Sequence, residues 1–462
     1  MIRIFRHYIS STYLFLIIIE FCIFFSAMYF GSEFRFLYTD SWYTEHDITF
    51  ASIIFATVIS MSCLALGLYR RSLSWEDYSL TRRMCFSFFI AFLIITEIYY
   101  LLPEFLIARS VLGYVLSIAF SGMALSRFLF YKFINIEKLK RRVLVIGGGE
   151  KAHALTALND TFIHKGFKIV GFIVLEGENL VIDENLIIRA DKRLSELSDE
   201  LNIDEIVIAL DDKRLKMPIH DLLDCKMSGT KVMDIIVFYE QEKGIISLND
   251  LYPSWLVYSD GFTQDILKTI GKRSFDLIAS ILLLAVAWPF MLITVLGILL
   301  ESGFRGSVIY QQKRVGENNK TFNVLKFRSM RSDAEKNGPQ WAKQNDNRIT
   351  KVGGFIRKFR IDELPQIFNV LKGEMSFVGP RPERPEFVEG FEERIPYYRE
   401  RHRVKPGITG WAQLCYPYGA NEFDTIQKLQ YDLYYVKNYS LFLDLSIMFN
   451  TVEVVLWGKG AR

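Results

Sequence analysis

The sequence predicts an integral membrane protein in three parts: an α-helical N-terminus within the membrane, an α/β Rossmann-like middle domain, and an α-rich monotopic C-terminal domain with a re-entrant membrane helix. Half of its 462 residues are hydrophobic and 15% are aromatic, and the mean hydropathy of +0.17 is too high for an ordinary soluble enzyme. The charged fraction of 23% excludes a chain that is wholly embedded in lipid. The apolar residues must therefore be unevenly distributed, and their positions predict domains at residues 1–135, 136–265 and 266–462.

Four apolar stretches predict membrane-spanning helices in the N-terminal domain. They cover residues 13–30, 48–69, 84–102 and 111–131. Each is close to the roughly 20 residues that cross a bilayer. Arg127 and Lys132 interrupt the last stretch, so its helix could end several residues earlier. Glu20 and Glu97 lie within the spans, where an ionisable side chain is a functional hypothesis by default. Hydrogen bonding between helices, or an interfacial position, is the favoured interpretation of both.

Lysine and arginine flank these stretches asymmetrically. They are concentrated before the first span, between the second and third, and after the fourth, at Arg3, Arg6, Arg70, Arg71, Arg82, Arg83, Lys138, Lys140, Arg141 and Arg142. The other two loops carry Arg35 and Arg109 alone. Because cytoplasmic loops are enriched in basic residues, this pattern predicts four helices with both ends in the cytoplasm.

A fifth apolar run covers residues 277–300 and contains no charged residue. Trp288 and Pro289 fall at its centre, where proline removes a helix hydrogen bond and favours a break or a sharp kink. Both flanks are basic, so both ends are expected in the cytoplasm. The pattern predicts a re-entrant helix that turns at Pro289 and leaves on the side from which it entered. The alternative is a kinked spanning helix, which would put everything after Glu301 outside the cell.

Short apolar runs alternate with helical stretches in the middle domain, which predicts a parallel sheet with crossover helices. The predicted strands are residues 143–146, 169–174, 206–210 and 232–237. The first runs into Gly147, Gly148 and Gly149, a G-x-G-x-x-A turn of the kind that brings backbone close to a diphosphate. No acidic residue ends a clear second strand at the usual interval unless Glu176 does. We therefore expect no NAD here and favour a regulatory or oligomerising module.

Tyr239 and Lys243 have the Y-x-x-x-K spacing of short-chain dehydrogenases. Together with the glycine-rich turn, they make a membrane-anchored nucleotide-sugar dehydratase or epimerase the principal alternative enzyme. Such an enzyme would need a nucleotide-binding domain of roughly twice this length, because one mononucleotide-binding half does not hold a dinucleotide. A match of two residues also arises often by chance.

Positive charge in the C-terminal third is concentrated in three clusters. They contain Lys326 and Arg328, then Lys351, Arg357, Lys358 and Arg360, then Arg381 and Arg384. Basic clusters beside a membrane segment could simply bind anionic lipid head groups, which would suit a non-enzymatic lipid-binding scaffold. That interpretation does not explain the acidic residues set among them.

Asp362 and Glu363 stand side by side after the second cluster. Pro365 suits the first turn of a helix and Gly373 its end, so a helix is expected to begin close to Asp362. One interpretation is that the two carboxylates cap this helix and complement its dipole. The other is a phosphate site, in which one carboxylate attacks phosphorus and the other holds a divalent cation. A helix N-terminus and nearby Arg357 would favour an anionic ligand there.

A second loop supports the phosphate interpretation. A predicted short strand leads to Arg381, which stands between Pro380 and Pro382. The fixed φ of proline limits the entropy that Arg381 loses when it grips an anion, although the loop could also be a rigid surface turn. Residues 405–411 form a turn-rich loop that could line a base or sugar pocket, or could be structural.

Four motifs lie in order between residues 272 and 462: K-F-R-S-M, R-I-D-E-L-P-Q, F-V-G-P-R-P-E and K-P-G-I-T-G-W-A-Q. With these motifs the region resembles the bacterial sugar transferase family of monotopic polyprenyl-phosphate phosphoglycosyl transferases. The four apolar spans and the Rossmann-like middle domain resemble the long form of that family, so the resemblance covers the whole chain. Residues 413–420 and 458–462 resemble its exosortase-associated exopolysaccharide branch.

The resemblance implies roles for individual residues of the C-terminal domain. Asp362 would be the catalytic nucleophile, and Glu363 would help to hold Mg²⁺, with Mn²⁺ as an alternative. The family's re-entrant helix breaks at a small residue followed by proline, a place taken here by Trp288 and Pro289. The candidate residues for binding phosphate or nucleotide are Lys326, Arg328, Arg357 and Arg381.

The resemblance also implies an activity and a location. The C-terminal catalytic domain would transfer hexose 1-phosphate from a UDP-sugar to undecaprenyl phosphate, release UMP, and so initiate exopolysaccharide biosynthesis. The protein would be a multi-pass homodimer of the bacterial inner membrane, with its soluble domains in the cytoplasm. Its partners would be the UDP-sugar, undecaprenyl phosphate and membrane lipids, and no nucleic acid.

Overall fold

A computed structural model describes most of the chain. It covers residues 2–4, 7–9, 11–36, 45–69, 78–101, 109–133, 140–161, 166–189, 192–212, 217–262, 266–331, 348–416 and 421–456. The chain forms two compact units, Met1–Ile2 with Ile9–Lys243 and Arg3–Tyr8 with Gly244–Arg462. The predicted domain boundaries at residues 135 and 265 lie outside the described residues and stay predictions. Also outside them are Arg6, Arg70, Arg71, Lys138 and the branch-specific residues 417–420 and 458–462.

Four long apolar helices confirm the predicted helical N-terminus. Two short strands that pair with each other, β1 (Ile2–Ile4) and β2 (His7–Ile9), precede them. The helices are α1 (Ser11–Phe36), α2 (Glu45–Ala65), α3 (Tyr78–Leu101) and α4 (Arg109–Phe133). Each is long and apolar enough to cross a membrane. Helix α2 ends four residues before the predicted Tyr69 because residues 66–69 form a turn.

Helix α4 continues through Arg127 because Glu20 of α1 neutralises this arginine. Arg127 Nε lies 2.7 Å from Glu20 Oε1 and Nη2 lies 3.1 Å from Oε2, with both side chains fully buried. The Tyr69 hydroxyl donates to the same carboxylate at 2.6 Å, and Arg127 Nη1 donates to the Leu68 carbonyl at 3.0 Å. Hydrogen bonding between helices is therefore confirmed as the role of Glu20. Glu97 is exposed, and its interfacial position stays a prediction.

The second part of this unit is a four-stranded parallel sheet, as predicted. Its strands are β3 (Arg141–Ile146), β4 (Phe167–Ile173), β5 (Glu205–Ile208) and β6 (Lys231–Asp234), in the order β4-β3-β5-β6. The helices between and after them are α5 (Glu150–Thr161), α6 (Leu194–Glu200), α7 (Ile219–Met227) and α8 (Ile235–Lys243). The last strand ends at Asp234, earlier than predicted, because the Asp234 carboxylate accepts the Ile236 amide and α8 begins there. The finer Rossmann-like classification stays a prediction.

The C-terminal unit combines a long apolar helix with short strands and helices. Its elements are α9 (Pro253–Tyr258), α10 (Ile266–Glu301), β7 (Ile309–Val315), β8 (Thr321–Phe327), α11 (Lys351–Lys358), α12 (Gln366–Lys372), β9 (Ser376–Val378), α13 (Pro385–Arg394), β10 (Gly407–Thr409), α14 (Trp411–Cys415), α15 (Glu422–Asn438) and α16 (Leu441–Leu456). Strands β7 and β8 form an antiparallel hairpin, and β9 pairs in parallel with β10. The unit begins at Gly244, whose carbonyl accepts a hydrogen bond from Trp411 Nε1 at 2.8 Å.

Helix α10 is helical without interruption through Trp288 and Pro289. A break in the helical backbone, one of the two expected outcomes at this pair, is therefore not observed. Proline removes a single N–H donor, and the flanking apolar turns keep theirs, so the helix can continue. A kink within the helix and the re-entrant path stay predictions.

Candidate active site

Asp362 and Glu363 lie in a single 3₁₀ turn, Ile361–Glu363, between α11 and α12. Arg360 precedes this turn with a left-handed φ of 58°, which separates the turn from α11. The α-helix that we expected to begin close to Asp362 begins at Gln366 instead, and its N-cap, Pro365, makes no side-chain hydrogen bond. Gly373, with a φ of 86°, ends the helix as expected. In the described structure, the two carboxylates are therefore not caps of α12.

Three cations surround the Glu363 carboxylate, each at Oε1. Lys326 Nζ lies at 2.9 Å, Arg381 Nη2 at 3.7 Å and Arg360 Nη1 at 3.8 Å. Burial alone would raise the pKa of Glu363, but these three charges outweigh it and hold the pKa well below the ordinary range. Glu363 is therefore an anion at any physiological pH. Arg360 was part of the basic cluster in the sequence, but its contact with Glu363 follows from the left-handed turn.

Lys326 reaches the carboxylates from the neighbouring strand β8. Asn369 of α12 fixes that strand, because its Oδ1 accepts the Leu325 amide at 3.0 Å and its Nδ2 donates to the Asn323 carbonyl at 2.8 Å. Burial and the nearby Arg381 lower the pKa of Lys326, while Glu363 opposes them. The first and second sequence motifs thus meet at one site.

Nearby cations offset the negative charge of Asp362 less fully than that of Glu363. Its exposed fraction is 9%. Burial raises the pKa of Asp362, the adjacent Glu363 raises it further, and Lys326, Arg357 and Arg360 act in the opposite direction. Arg357 therefore lies within electrostatic reach of Asp362, as the motif predicted. Two neighbouring carboxylates with opposite pKa shifts suit two different chemical roles.

Arg381 belongs to a loop that the fold holds tightly. The preceding residues form β9, as predicted, and a Cβ on Gly379 would lie 2.3 Å from the Lys405 carbonyl oxygen. The K-P-G-I-T-G motif thus packs directly against the F-V-G-P-R-P motif. The K-P-G-I-T-G turn supports the Arg381 loop. The role of this turn in a base or sugar pocket stays a prediction.

Arg401, which sequence reasoning missed, holds the backbone of Arg381. Its Nη2 donates to the Arg381 carbonyl at 2.9 Å. The guanidinium is itself fixed by Asp432, at 2.8 and 3.0 Å, and by the Tyr398 hydroxyl at 2.9 Å. Both charged side chains are buried. A buried ion pair in which two N–H groups contact one carboxylate oxygen gives the Arg381 loop one defined position.

The apolar helix α10 fixes the same loop from the other side. Asp276 Oδ1 accepts hydrogen bonds from the Ser376 hydroxyl at 2.9 Å and from the Phe377 amide at 3.0 Å. Lys272 Nζ donates to the Val378 carbonyl at 2.9 Å and also pairs with Asp444. The strand that leads to Arg381 is therefore bonded to the apolar helix through side chains at the start of that helix.

Arg328 is the one candidate whose described contacts lie at the end of α10. Both of its terminal nitrogens donate to the Arg305 carbonyl at 3.2 Å. Its guanidinium therefore holds the chain that follows α10, and its role in phosphate binding stays a prediction.

The glycine-rich turn of the parallel sheet is filled by a side chain of the protein itself. Asp211 accepts the Glu150 amide at 2.8 Å and the Lys151 amide at 3.0 Å. A Cβ on Gly149 would lie 2.0 Å from Asp211 Oδ2. The amides at the start of α5 are those that a diphosphate would need. The carboxylate therefore occupies the phosphate position that the alternative enzyme requires.

Tyr239 and Lys243 lie at the end of the sheet that is opposite to the glycine-rich turn. Glu242 pairs with Arg141, the first residue of β3, whereas Gly147 follows the last residue of this strand. The six residues of β3 place these two ends of the strand about 20 Å apart. Lys243 Nζ lies 5.0 Å from the centre of the Tyr239 ring. The structure thus does not bring together the two halves of a dehydratase or epimerase site.

The motifs of the C-terminal unit correspond to a known family. Residues 267–458 match the sequence model named Bacterial sugar transferase. An uncharacterized sugar transferase of Haemophilus influenzae is 32% identical over 383 residues, which are 78% of each chain. The chain belongs to the bacterial sugar transferase family.

Two other relatives are named for a specific reaction. The UDP-N-acetylgalactosamine-undecaprenyl-phosphate N-acetylgalactosaminephosphotransferase of Aeromonas hydrophila is 50% identical over 241 residues, 52% of this chain and 56% of the relative. The undecaprenyl-phosphate glucose phosphotransferase of Komagataeibacter xylinus is 33% identical over 366 residues, 76% of this chain and 65% of the relative. The matched segments thus span somewhat over half of the first relative and about two thirds of the second.

The donor atoms at the dyad fit a divalent cation that shares its ligands with a substrate. The described residues include no group of three or more histidine, cysteine, aspartate or glutamate side chains that could hold a metal. Mg²⁺ is commonly bound by one or two carboxylates together with substrate phosphates, so a two-carboxylate site is sufficient. Asp362 and Glu363 are the residues that would hold such a cation.

Proposed function

We propose that this chain transfers hexose 1-phosphate from a UDP-sugar to undecaprenyl phosphate and releases UMP, initiating exopolysaccharide biosynthesis. The named relatives act on undecaprenyl phosphate, one with N-acetylgalactosamine and one with glucose. The observation that carries the proposal is the carboxylate pair, in which three cations pair with Glu363 and lower its pKa, while burial and Glu363 raise the pKa of Asp362 beside it. The identity of the hexose is left to experiment, because the two relatives differ in it.

The first step is an attack by Asp362 on the sugar-proximal phosphorus of the UDP-sugar. A bond forms between a carboxylate oxygen and phosphorus, the bond from phosphorus to the bridging oxygen breaks, and UMP leaves with that electron pair. In the second step, an oxygen of undecaprenyl phosphate attacks the phosphorus of the aspartyl-phosphosugar intermediate. The bond to Asp362 breaks and the carboxylate is restored. Such a route is ping-pong.

The surrounding residues would position the phosphates and balance their charge. Lys326 and Arg381 already face an anion in Glu363, so they are placed for the phosphate oxygens of the donor. Arg357 would hold the phosphate of either substrate near Asp362. Glu363 would hold Mg²⁺, or Mn²⁺, which when bound would neutralise charge on the diphosphate.

We propose further that α10 is re-entrant and that the active site faces the cytoplasm. At its start, Arg273 donates to the Val370 carbonyl at 2.6 Å, and at its end, Glu301 accepts the Lys351 amide at 2.7 Å. Val370 and Lys351 belong to the two helices that flank the dyad, α12 and α11. A helix that crossed a bilayer about 30 Å thick would place its ends on opposite sides. Contacts from both ends to one polar region therefore favour entry and exit on the same side.

The remaining features of the proposal rest on the family resemblance. The four N-terminal helices would cross the bacterial inner membrane, and the Rossmann-like domain would act in dimerisation or regulation. A reporter fused after Arg462 tests the topology, because it should be active in the cytoplasm. A periplasmic signal would contradict the re-entrant helix.

The activity is tested with purified protein, Mg²⁺, undecaprenyl phosphate and a panel of UDP-sugars that includes glucose, galactose and N-acetylgalactosamine. We expect one or more of them to release UMP, and Asp362→Asn to abolish the release. Tyr239→Phe should leave it intact. A dehydratase or epimerase alters the sugar while it stays attached to UDP, so it would release no UMP, and Tyr239→Phe would abolish its conversion of the UDP-sugar. A lipid-binding scaffold would release no UMP from any sugar.

A further inference from the structure

Two phenylalanine rings lie uncovered beside the carboxylate pair. Phe355 on α11 has an exposed fraction of 60%, and Phe359, which directly follows α11, has one of 48%. The ring centres are 4.9 Å apart. Residues four apart lie on one stripe of a helix, so the two rings form a continuous apolar surface. Phe359, the nearer ring in sequence, precedes Asp362 by three residues.

The adjoining stripe of α11 is attached to the membrane helix. Val352 and Ile356 pack with Ile298 of α10, and the Glu301 carboxylate accepts the amides of Lys351 and Val352. The apolar face of α11 is therefore wider than its contact with α10, and the phenylalanine pair is the part that extends beyond it. Since the buried stripe already anchors the helix, the exposed rings are left for another apolar surface.

Positive charge accompanies this apolar surface. Arg357 and Lys358 lie between the two phenylalanines in the chain, and Arg360 lies between Phe359 and Asp362. Lys358 Nζ is 5.8 Å from the centre of the Phe359 ring, and Arg357 and Arg360 act electrostatically on Asp362. A ligand with a long apolar chain and a terminal phosphate offers an apolar part for the rings and an anion for the cations beside the nucleophile.

We propose that the first isoprene units of the acceptor lie against Phe355 and Phe359, with the acceptor phosphate toward Arg357 and Asp362. This inference rests on the proposed function. The acceptor phosphate must reach the phosphorus carried by Asp362, so the beginning of its tail must lie close to the dyad. Ordinary membrane lipids could cover the same rings, but their phosphates have no reason to reach Asp362. The specific occupant is therefore the polyprenyl phosphate.

The two half-reactions can be measured separately, so an effect of a substitution on the acceptor can be distinguished from an effect on the donor. Exchange of labelled UMP into the UDP-sugar, without acceptor, reports the donor half-reaction alone. The KM for undecaprenyl phosphate, measured in nanodiscs of fixed lipid composition, reports the acceptor. The variants are Phe355→Ala with Phe359→Ala, and the milder Phe355→Leu with Phe359→Leu in case the alanine pair fails to fold. Phe89→Ala is the matched control, because Phe89 of α3 has an exposed fraction of 57%.

Loss of the aromatic contacts should raise the acceptor KM of the alanine pair at least tenfold, which corresponds to about 1.4 kcal/mol of binding free energy. The leucine pair should show a smaller rise, and UMP exchange should be unchanged in both. Phe89→Ala should match the parent in both measurements. An unchanged acceptor KM, or an equal fall in UMP exchange, would overturn the inference in favour of bulk lipid or a structural role. If the parent chain releases no UMP, the proposed function itself has failed, which is a distinct result.

Discussion

Lys326 Nζ lies 2.9 Å from Glu363 Oε1, and this contact joins two motifs that are 37 residues apart in the chain. It lowers the pKa of Glu363, whereas burial and the neighbouring Glu363 raise the pKa of Asp362. The proposed mechanism therefore gives the two adjacent carboxylates different roles, with Asp362 as the reactive member. The division of labour in the proposed mechanism depends on this contact.

Replacing Lys326 by methionine should slow UMP release by about 10²–10³, the usual effect of removing one electrostatic stabiliser from a reaction site. The reason is that Glu363 would lose its closest cation and the donor phosphates would lose one of theirs. Single-turnover release of UMP is the measurement. Lys313→Met is the control, because Lys313 is an exposed lysine of the same β-hairpin. Parent-like turnover in Lys326→Met would remove Lys326 from the site.

The rate of the first half-reaction should fall in acid at a higher pH than an ordinary aspartate would cause. Asp362 must be ionised to attack phosphorus, and burial together with Glu363 raises its pKa. Glu363 stays ionised across the same range because its pKa is lowered. In a profile of UMP release against pH, we expect the midpoint of the acid limb above about 4, the ordinary pKa of an aspartate. A midpoint at or below that value would mean that the nucleophile has no elevated pKa.

Sequence reasoning succeeded where a feature is local and failed where it depends on a distant contact. The apolar helices follow from long runs of mostly apolar residues, and Gly373 ends α12 because its φ of 86° suits glycine. The start of α12 was misplaced because residues 361–363 form a 3₁₀ turn after the left-handed Arg360, which no pattern in the sequence signals. The pairing of Arg127 with Glu20 spans 107 positions, and periodicity does not show which helices are neighbours.

The residues of the candidate site likewise include some that the sequence could predict and some that it could not. Asp362, Glu363, Arg357 and Arg381 could be selected because charged residues in a fixed motif suit phosphate chemistry. Arg401 could not, because its contact is with the backbone carbonyl of Arg381 and carries no signature in the sequence. The filling of the glycine-rich turn by Asp211 was equally hidden, since 61 positions separate Asp211 from the amide of Glu150.

Arg401→Lys should raise the KM for the UDP-sugar about tenfold with a smaller change in kcat. Lysine keeps the charge but lacks the planar guanidinium, which donates to Asp432 and to the Arg381 carbonyl at the same time. The Arg381 loop would therefore lose its fixed position. Because a structural defect could lower activity generally, the informative measurement is a double-mutant cycle. In an Arg381→Ala background, Arg401→Lys should have little further effect on KM. Arg403→Lys, at an exposed arginine of the same segment, should match the parent, and fully additive effects would rule out positioning.

Breaking the pair between Glu20 and Arg127 should destabilise the helical N-terminus strongly. Removing one partner of a buried ion pair costs about 3–5 kcal/mol, because the other charge remains buried. We expect Glu20→Gln and Arg127→Gln each to lower the melting temperature of the detergent-solubilised protein. The double variant should lose less than the sum of the two, since no unpaired charge remains. Additive losses would show that the two side chains do not act as a pair.

The most direct test of the account is to look for the covalent intermediate on Asp362. The protein is incubated with an active UDP-sugar and Mg²⁺ in the absence of undecaprenyl phosphate, digested, and analysed by mass spectrometry. The account predicts a sugar phosphate attached to the peptide at Asp362, release of UMP in proportion, and no adduct in Asp362→Asn. An adduct on Glu363, or UMP release that requires undecaprenyl phosphate and leaves the protein unmodified, would contradict it.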